Sequence, residues 1–431
     1  MEMKKEINIT SIDDFNYSGK TVLLRVDINS PIDPVTKMIV NDNRIQMSIP
    51  TIKDIILKNA KLAIIAHQGD TLDYRNLIPL SEHAEKLSTL LNINIRYIDD
   101  VAGPAAKDAI KCLRPGEAVL LGNLRYLTEE VSTFENTVKL LPKEMLDTYL
   151  VRNLAPLVDY YVNDAFAAAH RNSPSMVAFQ ELLPTAGGRL MLDEICALDK
   201  VMKSPCRLSV FVLGGAKISD AFGMMKQVLE IGSADKILTC GIIGQIMLIA
   251  QGRSIGTKTW KFISDRGLDI FIKPAKEYLT DYPDKIAVPL DLAFLKEGER
   301  IEVSAEELPI EELFMDIGGK TINSYMKIMK TAGTIFANGP SGVYEDKLFE
   351  RGTREIFNAI ANAKGYTVIG GGDTVSAASR FCDLSKFNYV STAGGAMVRY
   401  LSGKKLPLIT AMEKACLKYR TSSEHTFHEA K

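Results

Sequence analysis

The sequence predicts an α/β fold of two Rossmann-like, three-layer domains with mainly parallel sheets, joined by a hinge helix. Short apolar runs rich in Val, Ile and Leu recur along the chain and alternate with longer stretches of helical periodicity. Near-continuous apolar strands are typical of parallel sheets that helices cover on both faces. The 431 residues and the many apolar runs exceed what one sheet and one core hold, so we expect two domains.

The predicted strands are the apolar runs bounded by polar or glycine-rich turns. In chain order they are Thr21–Val26, Lys61–Ala66, Glu117–Leu121, Val158–Val162, Leu208–Leu213, Lys236–Cys240, Gly333–Ala337, Tyr366–Ile369 and Phe387–Val390. Helical periodicity predicts helices between them, for example over Pro50–Lys58, Glu82–Leu91 and Asp220–Ile231. The alternation of the two patterns is that of repeated βα units.

The domain boundary is expected at Pro184–Gly188, where Leu-Pro-Thr-Ala-Gly-Gly interrupts any helix. We predict an N-terminal domain over 1–186 and a C-terminal domain over 187–405. Residues 187–203 form the connecting helix, which Ser204-Pro205 ends. Residues 406–431 form a C-terminal segment that we expect to pack back on the N-terminal domain.

Composition excludes several classes of protein. The net charge of −1 lacks the basic excess of a dedicated nucleic-acid binder. The most apolar window, Ile237–Ala250, contains two glycines and Gln245 and is too short to span a bilayer, so it predicts a buried strand and the start of a helix. None of the six cysteines forms a Cys-x-x-Cys pair, and the N-terminus is charged. We therefore expect a cytoplasmic protein whose partners include neither nucleic acid nor membrane.

Polar side chains follow the apolar runs of the first half. In open parallel sheets, ligands bind beyond the carboxyl ends of the strands. Arginine binds phosphate and carboxylate oxygens in bidentate fashion, so this set predicts a site for a small anion that carries both groups. Solvated loop residues and helix caps remain the alternative for any single member. The set comprises Asp27, Asn29, His67, Arg125 and Arg171, with Arg44 in a loop just before a helix.

Glycines follow the apolar runs of the second half. Glycines let the backbone approach a phosphate, and the helix that follows adds its positive N-terminal end. Asp373 in one of these turns is a natural Mg²⁺ contact. A complete P-loop, an early Gly-x-Gly-x-x-Gly and a His-Arg-Asp signature are absent from the sequence, so a nucleotide site of another kind is predicted. The turns are Gly214-Gly215-Ala216-Lys217, Asn338-Gly339-Pro340, Gly370-Gly371-Gly372-Asp373-Thr374 and Ser391-Thr392-Ala393-Gly394-Gly395.

These motifs, in this order from Gly19 to Leu408, resemble the phosphoglycerate kinase family, and His67-Gln68-Gly69 resembles its archaeal-type branch. The matching stretches are Arg25-Val26-Asp27-Ile28-Asn29-Ser30-Pro31, Asn43-Arg44-Ile45, Val162-Asn163-Asp164-Ala165-Phe166, His170-Arg171, Gly214-Gly215-Ala216-Lys217, Asn338-Gly339-Pro340, Gly342-Val343-Tyr344-Glu345, Gly370-Gly371-Gly372-Asp373-Thr374 and Ser391-Thr392.

The resemblance implies a glycolytic and gluconeogenic transferase: 1,3-bisphosphoglycerate and ADP give 3-phosphoglycerate and ATP, reversibly and with Mg²⁺. It implies a monomer that closes by hinge bending. The acid would be bound by Asp27, Asn29, Arg44, His67, Arg125 and Arg171. The nucleotide would be bound by Gly214, Gly215, Lys217, Asn338, Pro340, Glu345, Gly370, Gly371, Gly372, Asp373 and Thr374. Asp373 would hold the metal. Arg44 and Lys217 are the predicted catalytic residues, because phosphoryl transfer chiefly needs positioning and charge neutralisation.

Several positions depart from the family pattern. Gln68 and Asp70 stand where Leu and Arg are usual, Gly122 replaces a glutamate, and Ala221 replaces a second lysine. Asp70 places an anion where a cation would assist a phosphate, and Arg75 is a candidate to compensate. Two alternatives therefore stay open: a paralogue that phosphorylates another small carboxylic acid, and a nucleotide-binding regulatory protein. The remaining histidines are expected to be solvated; they are His83, His425 and His428.

Overall fold

The computed structural model describes residues 8–69 and 76–428, with side chains up to residue 419. Asp70 and Arg75 lie outside the described residues, as do the side chains of His425 and His428. The chain divides into two compact units. The first comprises the described residues up to Cys196 together with those from Lys405 onward, and the second comprises Ala197–Lys404. The α/β class with two parallel sheets is confirmed.

The first unit is built on one six-stranded parallel sheet. The strands are β1 (Thr21–Arg25), β2 (Lys61–Ile65), β3 (Ile95–Tyr97), β4 (Ala118–Leu120), β5 (Tyr160–Asn163) and β6 (Thr185–Gly187). Their spatial order is β3-β4-β2-β1-β5-β6. In β1, Leu23 lies between Ala63 and Tyr161 of the neighbouring strands, and all three are fully buried. Apolar side chains on both faces explain why β1 is a continuous apolar run.

Helices cover both faces of this sheet. They are α1 (Asn43–Leu57), α2 (Ser81–Leu91), α3 (Pro104–Lys111), α4 (Ser132–Val138), α5 (Tyr149–Leu154), α6 (Pro174–Val177) and α7 (Arg189–Met202). The helix predicted from Pro50 begins at Asn43 instead, so Arg44 lies in its first turn and not in a loop. Burial of Ile45, Ile52 and Ile55 against the sheet outweighs the amide donor that Pro50 lacks inside the helix.

The segment Pro184–Gly188 does not simply separate two domains. Residues 185–187 form β6, the edge strand that pairs with β5. The chain then turns at Gly188. Glycine is needed there because a Cβ would overlap the carboxylate of Asp164. The division between the units falls inside α7, after Cys196.

The second unit contains a parallel sheet and a smaller antiparallel one. Its strands are β7 (Ser209–Leu213), β8 (Lys236–Thr239), β9 (Ile286–Ala287), β10 (Asp291–Lys296), β11 (Glu299–Ser304), β12 (Phe314–Ile317), β13 (Thr334–Asn338), β14 (Tyr366–Gly370) and β15 (Tyr389–Ser391). The parallel order is β15-β14-β13-β7-β8-β9, and the antiparallel order is β11-β10-β12. The antiparallel sheet buries Leu292, Phe294 and Phe314 in a core of its own.

Helices separate most of the parallel strands of the second unit. They are α8 (Ile218–Glu230), α9 (Gly241–Ala250), α10 (Thr257–Ser264), α11 (Ile272–Asp281), α12 (Gly319–Lys330), α13 (Arg351–Ala361), α14 (Gly372–Phe381) and α15 (Gly395–Leu401). The last helix, α16 (Pro407–His428), belongs to the first unit, where Leu408 N donates to the Ala169 carbonyl at 3.2 Å. Among the described helices, none has the length and apolarity of a membrane span.

Candidate active site

The carboxyl edge of the first sheet brings Asp27, Asn29 and Arg44 together. Arg44 Nη1 donates to Asp27 Oδ2 at 3.0 Å, so the first turn of α1 is tied to the end of β1. The Asn29 backbone N donates to Asp27 Oδ1 at 3.1 Å, and Asn29 Oδ1 accepts from Gly69 N at 3.0 Å. Burial opposes ionisation of Asp27, but Arg44 and the other nearby positive charges lower the pKa of its carboxyl below the ordinary value.

His67 is buried at the end of β2, beside the buried Arg25. Arg25 Nη2 lies 2.8 Å from His67 Nδ1. Because a guanidinium only donates, Nδ1 must accept, and the ring proton of neutral His67 belongs on Nε2. Burial and the charges of Arg25, Arg125 and Arg44 hold the pKa of His67 well below its usual value. His67 therefore acts as a neutral hydrogen-bond donor among cations.

Arg125 and Arg171 complete the cationic set. Arg125 Nη1 donates to the Glu130 carbonyl at 2.5 Å. Arg171 is mostly buried, and its Nε donates to Glu135 Oε2 at 2.6 Å. Arg171 Nη2 is fully buried and has no partner among the described residues. A buried donor without an acceptor is costly, so this atom is suited to an anion from outside the chain.

Glycine-rich turns form a cleft of about 120 Å³ at the carboxyl edge of the second parallel sheet. Lys217 is the one cation among the described residues that line it, and it contacts Asp373 across 3.4 Å. Both side chains are about two-thirds exposed, at 66% and 67%, so this contact is a weak one. The lining residues are Gly214, Gly215, Ala216, Lys217, Asp220, Asn338, Gly339, Pro340, Gly371, Gly372, Asp373, Thr374, Gly394, Gly395 and Val398.

Two glycines show why the cleft requires this sequence. Gly339 has a φ of +88°, and a Cβ there would overlap the carbonyl oxygen of Gly214. Gly371 has a φ of +98°, and a Cβ would lie 2.6 Å from Asn338 Nδ2. Both positions combine a left-handed backbone with a close approach of neighbouring turns, so other residues would be strained.

The first turn of α14 forms one wall of the cleft. Asp373 is exposed there, whereas Thr374 is buried and its hydroxyl accepts from Gly339 N at 2.7 Å. Gly370, a predicted nucleotide contact, is buried at the end of β14 and does not line the cleft. Its carbonyl accepts from Asn338 Nδ2 at 2.6 Å. Thr374 therefore both lines the cleft and holds two of its turns together, whereas Gly370 only holds the turns together.

An apolar slot of about 290 Å³ adjoins the cleft and shares four lining residues with it: Gly215, Ala216, Pro340 and Asp373. Glu345, predicted as a nucleotide contact, lines this slot and not the cleft. Several lining residues were not predicted, because most of them are apolar side chains, which carry no local mark of ligand contact. The missed residues are Ile242, Gln245, Phe262, Leu313, Phe314 and Met315.

Three departures from the family pattern have local explanations. Gln68 pairs with His83, whose Nε2 lies 3.0 Å from Gln68 Oε1. His83 was predicted to be solvated, which is wrong, because it is fully buried. A side chain at position 122 would be crowded, since a Cβ would lie 3.1 Å from the backbone of Asp100. Ala221 is buried on the inner face of α8, so a lysine there would have to leave the core.

Comparisons with known proteins agree with the motifs. The sequence model of the phosphoglycerate kinase family matches residues 12–404. Phosphoglycerate kinase from Methanothermus fervidus is 42% identical over 405 residues, covering 94% of this chain and 97% of that protein. The enzyme from Methanococcus maripaludis is 43% identical over 415 residues, covering 95% and 99%.

Solved structures give the same result. The phosphoglycerate kinase structure from Pyrococcus horikoshii OT3 has a TM-score of 0.84 and 36% identity, covering 95% of this chain and 100% of that one. The structure from Coxiella burnetii has a TM-score of 0.79 and 30% identity with the same coverage. The chain thus belongs to the phosphoglycerate kinase family.

Proposed function

We propose that the first unit binds 3-phosphoglycerate and the second binds ATP or ADP, in the reversible phosphoryl transfer of this family. The chain is an enzyme of that family, and its reaction converts 1,3-bisphosphoglycerate and ADP into 3-phosphoglycerate and ATP. One observation carries the division of labour. Buried and partly buried arginines occupy one strand edge, and the buried Nη2 of Arg171 has no partner among the described residues, whereas glycine turns and an exposed lysine occupy the other edge.

The acid is held by guanidinium and imidazole donors. Arg125 and Arg171 are mostly or partly buried and are each anchored by an acceptor from the chain. The buried Nη2 of Arg171 is available for a phosphate or carboxylate oxygen. His67 offers a neutral Nε2–H. Asp27 and Asn29 fix the loop after β1, and we assign both to the hydroxyl and carboxylate side of the glycerate.

The nucleotide is held mainly by backbone. Gly214 and Gly215 face the base, the apolar slot next to them has the size and character for a purine, and Asn338, Pro340 and Glu345 border the ribose. The phosphates lie against the N-terminus of α14, at Gly371, Gly372, Asp373 and Thr374, with Gly370 fixing the turn. Lys217 adds the positive charge.

Arg44 and Lys217 neutralise charge on the phosphoryl group as it moves. No general base is needed, because the attacking group is either an ionised carboxylate or a nucleotide phosphate. The protein's task is to position both substrates and to stabilise charge that develops in the transition state.

Asp373 is the residue suited to hold Mg²⁺. Its exposed carboxylate stands at the nucleotide cleft, and Mg²⁺ in such sites typically takes one or two carboxylates besides phosphate oxygens and waters. When bound, Mg²⁺ would neutralise phosphate charge. On the family resemblance we also assign a cytoplasmic monomer. The scattered cysteines, none of them in a Cys-x-x-Cys pair, are typical of a protein in a reducing compartment.

The test is a coupled steady-state assay with 3-phosphoglycerate, ATP and Mg²⁺. We expect a kcat of roughly 1–10³ s⁻¹, strongly reduced in Asp373→Ala while calorimetric binding of 3-phosphoglycerate is retained. Absence of turnover with 3-phosphoglycerate, together with turnover of another small carboxylic acid, would favour the paralogue. Equal inactivity of wild type and variant with intact ADP binding would favour the regulatory protein. The family match favours neither alternative.

A further inference from the structure

A cluster of buried polar side chains lies behind the carboxyl edge of the first sheet. Its members come from four separate segments: the loops after β1, β2 and β4, and the helix α2. All four are between 0% and 3% exposed: Ser30, Gln68, His83 and Asn123. Burying polar groups is unfavourable unless they bond to one another, so the bonds within this cluster show what it holds in place.

The side chain of Gln68 bonds to two segments at once. Its Oε1 accepts from Ser30 N at 2.8 Å, and its Nε2 donates to the Ser30 carbonyl at 2.9 Å. This pair fixes which end of the amide is the acceptor. His83 Nε2, 3.0 Å from the same Oε1, must therefore donate. One glutamine side chain thus joins the loop after β1 to α2.

The backbone of Gln68 bonds to a third segment. Gln68 N donates to Asn123 Oδ1 at 3.1 Å, and Asn123 Nδ2 donates to the Gln68 carbonyl at 2.9 Å. The same Asn123 Oδ1 also accepts from Arg125 N at 3.0 Å. Asn123 therefore holds the Arg125 backbone in a fixed position relative to the backbone of Gln68.

Three neighbours of this cluster are residues that we assign to the acid. His67 precedes Gln68 in the chain, Asn29 precedes Ser30, and Arg125 shares its acceptor with Gln68 N. Asn29 Oδ1 is also held by Gly69 N, the residue after Gln68. An apolar side chain at position 68 would leave Ser30 N, the Ser30 carbonyl and His83 Nε2 without this partner in a buried place.

We propose that Gln68 is a positioning residue that sets the relative placement of Asn29, His67 and Arg125 for binding the phosphorylated acid. The proposal rests on the assignment of the acid to the first unit. It predicts that Gln68 affects affinity for the acid and leaves affinity for the nucleotide unchanged, because the glycine-lined cleft belongs to the other unit.

The test compares Gln68→Leu with Gln180→Leu in the full chain. Gln180 is a matched control: it is 3% exposed in the same unit, and its Nε2 donates to the Met176 carbonyl. Calorimetry measures the Kd for 3-phosphoglycerate and for ADP, and a thermal scan measures Tm. We expect Gln68→Leu to raise the Kd for 3-phosphoglycerate by roughly ten- to a hundredfold, the scale of a small misplacement at a binding site, with the Kd for ADP unchanged. Gln180→Leu should lower Tm and change neither Kd.

Unchanged affinity of Gln68→Leu for 3-phosphoglycerate would overturn the proposal, as would an equal loss in Gln180→Leu. Should Gln68→Leu not fold, His83→Phe takes its place. It leaves both Ser30 bonds intact and should weaken acid binding severalfold, and wild-type affinity in that variant would overturn the proposal. The proposed function is tested separately, by measuring the turnover of the wild-type protein with 3-phosphoglycerate. Acid binding that depends on Gln68 in a chain without turnover would support this inference and contradict that function.

Discussion

The carboxyl edges of the two parallel sheets offer different groups to an anion. At the first edge the chemistry is in side chains: Arg25, Arg125 and Arg171 are buried or partly buried and already bonded to the protein. At the second edge it is in the backbone, because glycines bring the turns close together and leave open space at Gly372 and Gly395. Fixed, directional side-chain donors are suited to one particular acid. Glycine-rich backbone turns and an apolar slot are suited to a larger ligand that is bound mainly through its shape.

The largest expected effect is the loss of kcat when the predicted catalytic cation of either edge is removed. Arg44→Ala and Lys217→Ala should each lower kcat by roughly 10²–10³-fold, the usual cost of removing one donor that stabilises transition-state charge. Arg44→Ala should raise KM for 3-phosphoglycerate only, and Lys217→Ala should raise KM for ATP only. Steady-state kinetics with each substrate varied in turn checks this, and a rise of both KM values in either variant would contradict the division.

The second prediction concerns Asp164, a carboxyl group buried in the first unit. Asp164 is 1% exposed, its Oδ1 accepts from Met191 N at 2.9 Å, and burial raises the pKa of its carboxyl from 3.8 to about 7. Since the folded pKa lies above the unfolded one, the folded chain binds more protons in that window, and stability falls as pH rises from about 4 to 7.

Asp164→Asn removes this titration and keeps the acceptor. We expect the free energy of unfolding of the variant, relative to wild type, to increase with pH and to level off above pH 7, by on the order of 1–3 kcal/mol in total. Urea unfolding at several pH values measures it. If the difference in the free energy of unfolding between the two proteins did not change with pH, the Asp164 carboxyl would be ionised in the folded chain over the whole pH range measured.

The third prediction tests the glycine-rich backbone turns. A Cβ at Gly372 meets nothing within 4 Å, so Gly372→Ala should fold as well as wild type while its methyl group occupies phosphate space. The Kd for ADP should rise about tenfold, or ~1.4 kcal/mol, with the Kd for 3-phosphoglycerate unchanged. Gly339→Ala is the contrast, because its Cβ would overlap the Gly214 carbonyl and should lower Tm. Wild-type ADP affinity in Gly372→Ala would place the phosphates elsewhere.

The smallest effect is expected at Glu135, whose charge acts only by orienting Arg171. Glu135 holds Arg171 Nε at 2.6 Å, with both side chains 13–15% exposed. Glu135→Gln keeps an acceptor but removes the charge, so KM for 3-phosphoglycerate should rise by a few-fold, corresponding to ~0.5–1 kcal/mol. The KM for ATP should not change, and an unchanged KM for the acid would mean that Arg171 keeps its place without Glu135.

How much the sequence predicts differs between the two edges. Most of the parallel strands were predicted because burial on both faces makes them continuously apolar, as in Ser209–Leu213. Three edge strands of two or three residues were not predicted, because they form no apolar run of strand length: Ile95–Tyr97, Thr185–Gly187 and Ile286–Ala287. The antiparallel sheet was missed, since Glu299–Ser304 is short and alternating, and its apolar face is covered by residues far away in the chain. The glycine turns were found from their pattern, whereas the apolar slot was not, because Phe262 and Phe314 have the composition of ordinary core residues.

His83 shows the limit for single polar residues. Its place in α2 gives no sign of burial by itself; its partner Gln68 lies in another segment, and the contact exists only once β2 and α2 have packed. Arg44 shows the same limit for helix ends, because the core residues Ile45 and Ile52 set the start of α1, not the proline that usually marks a first turn.

The most direct test of the division between the units is hydrogen–deuterium exchange of the full chain with one ligand at a time. With 3-phosphoglycerate alone, we expect protection at residues 27–30, 67–69, 123–125 and 171. With Mg²⁺ and ADP alone, we expect protection at 214–217, 338–345 and 371–374. Protection of the glycine turns by 3-phosphoglycerate alone, or of the arginine loops by ADP alone, would contradict the assignment of one substrate to each edge.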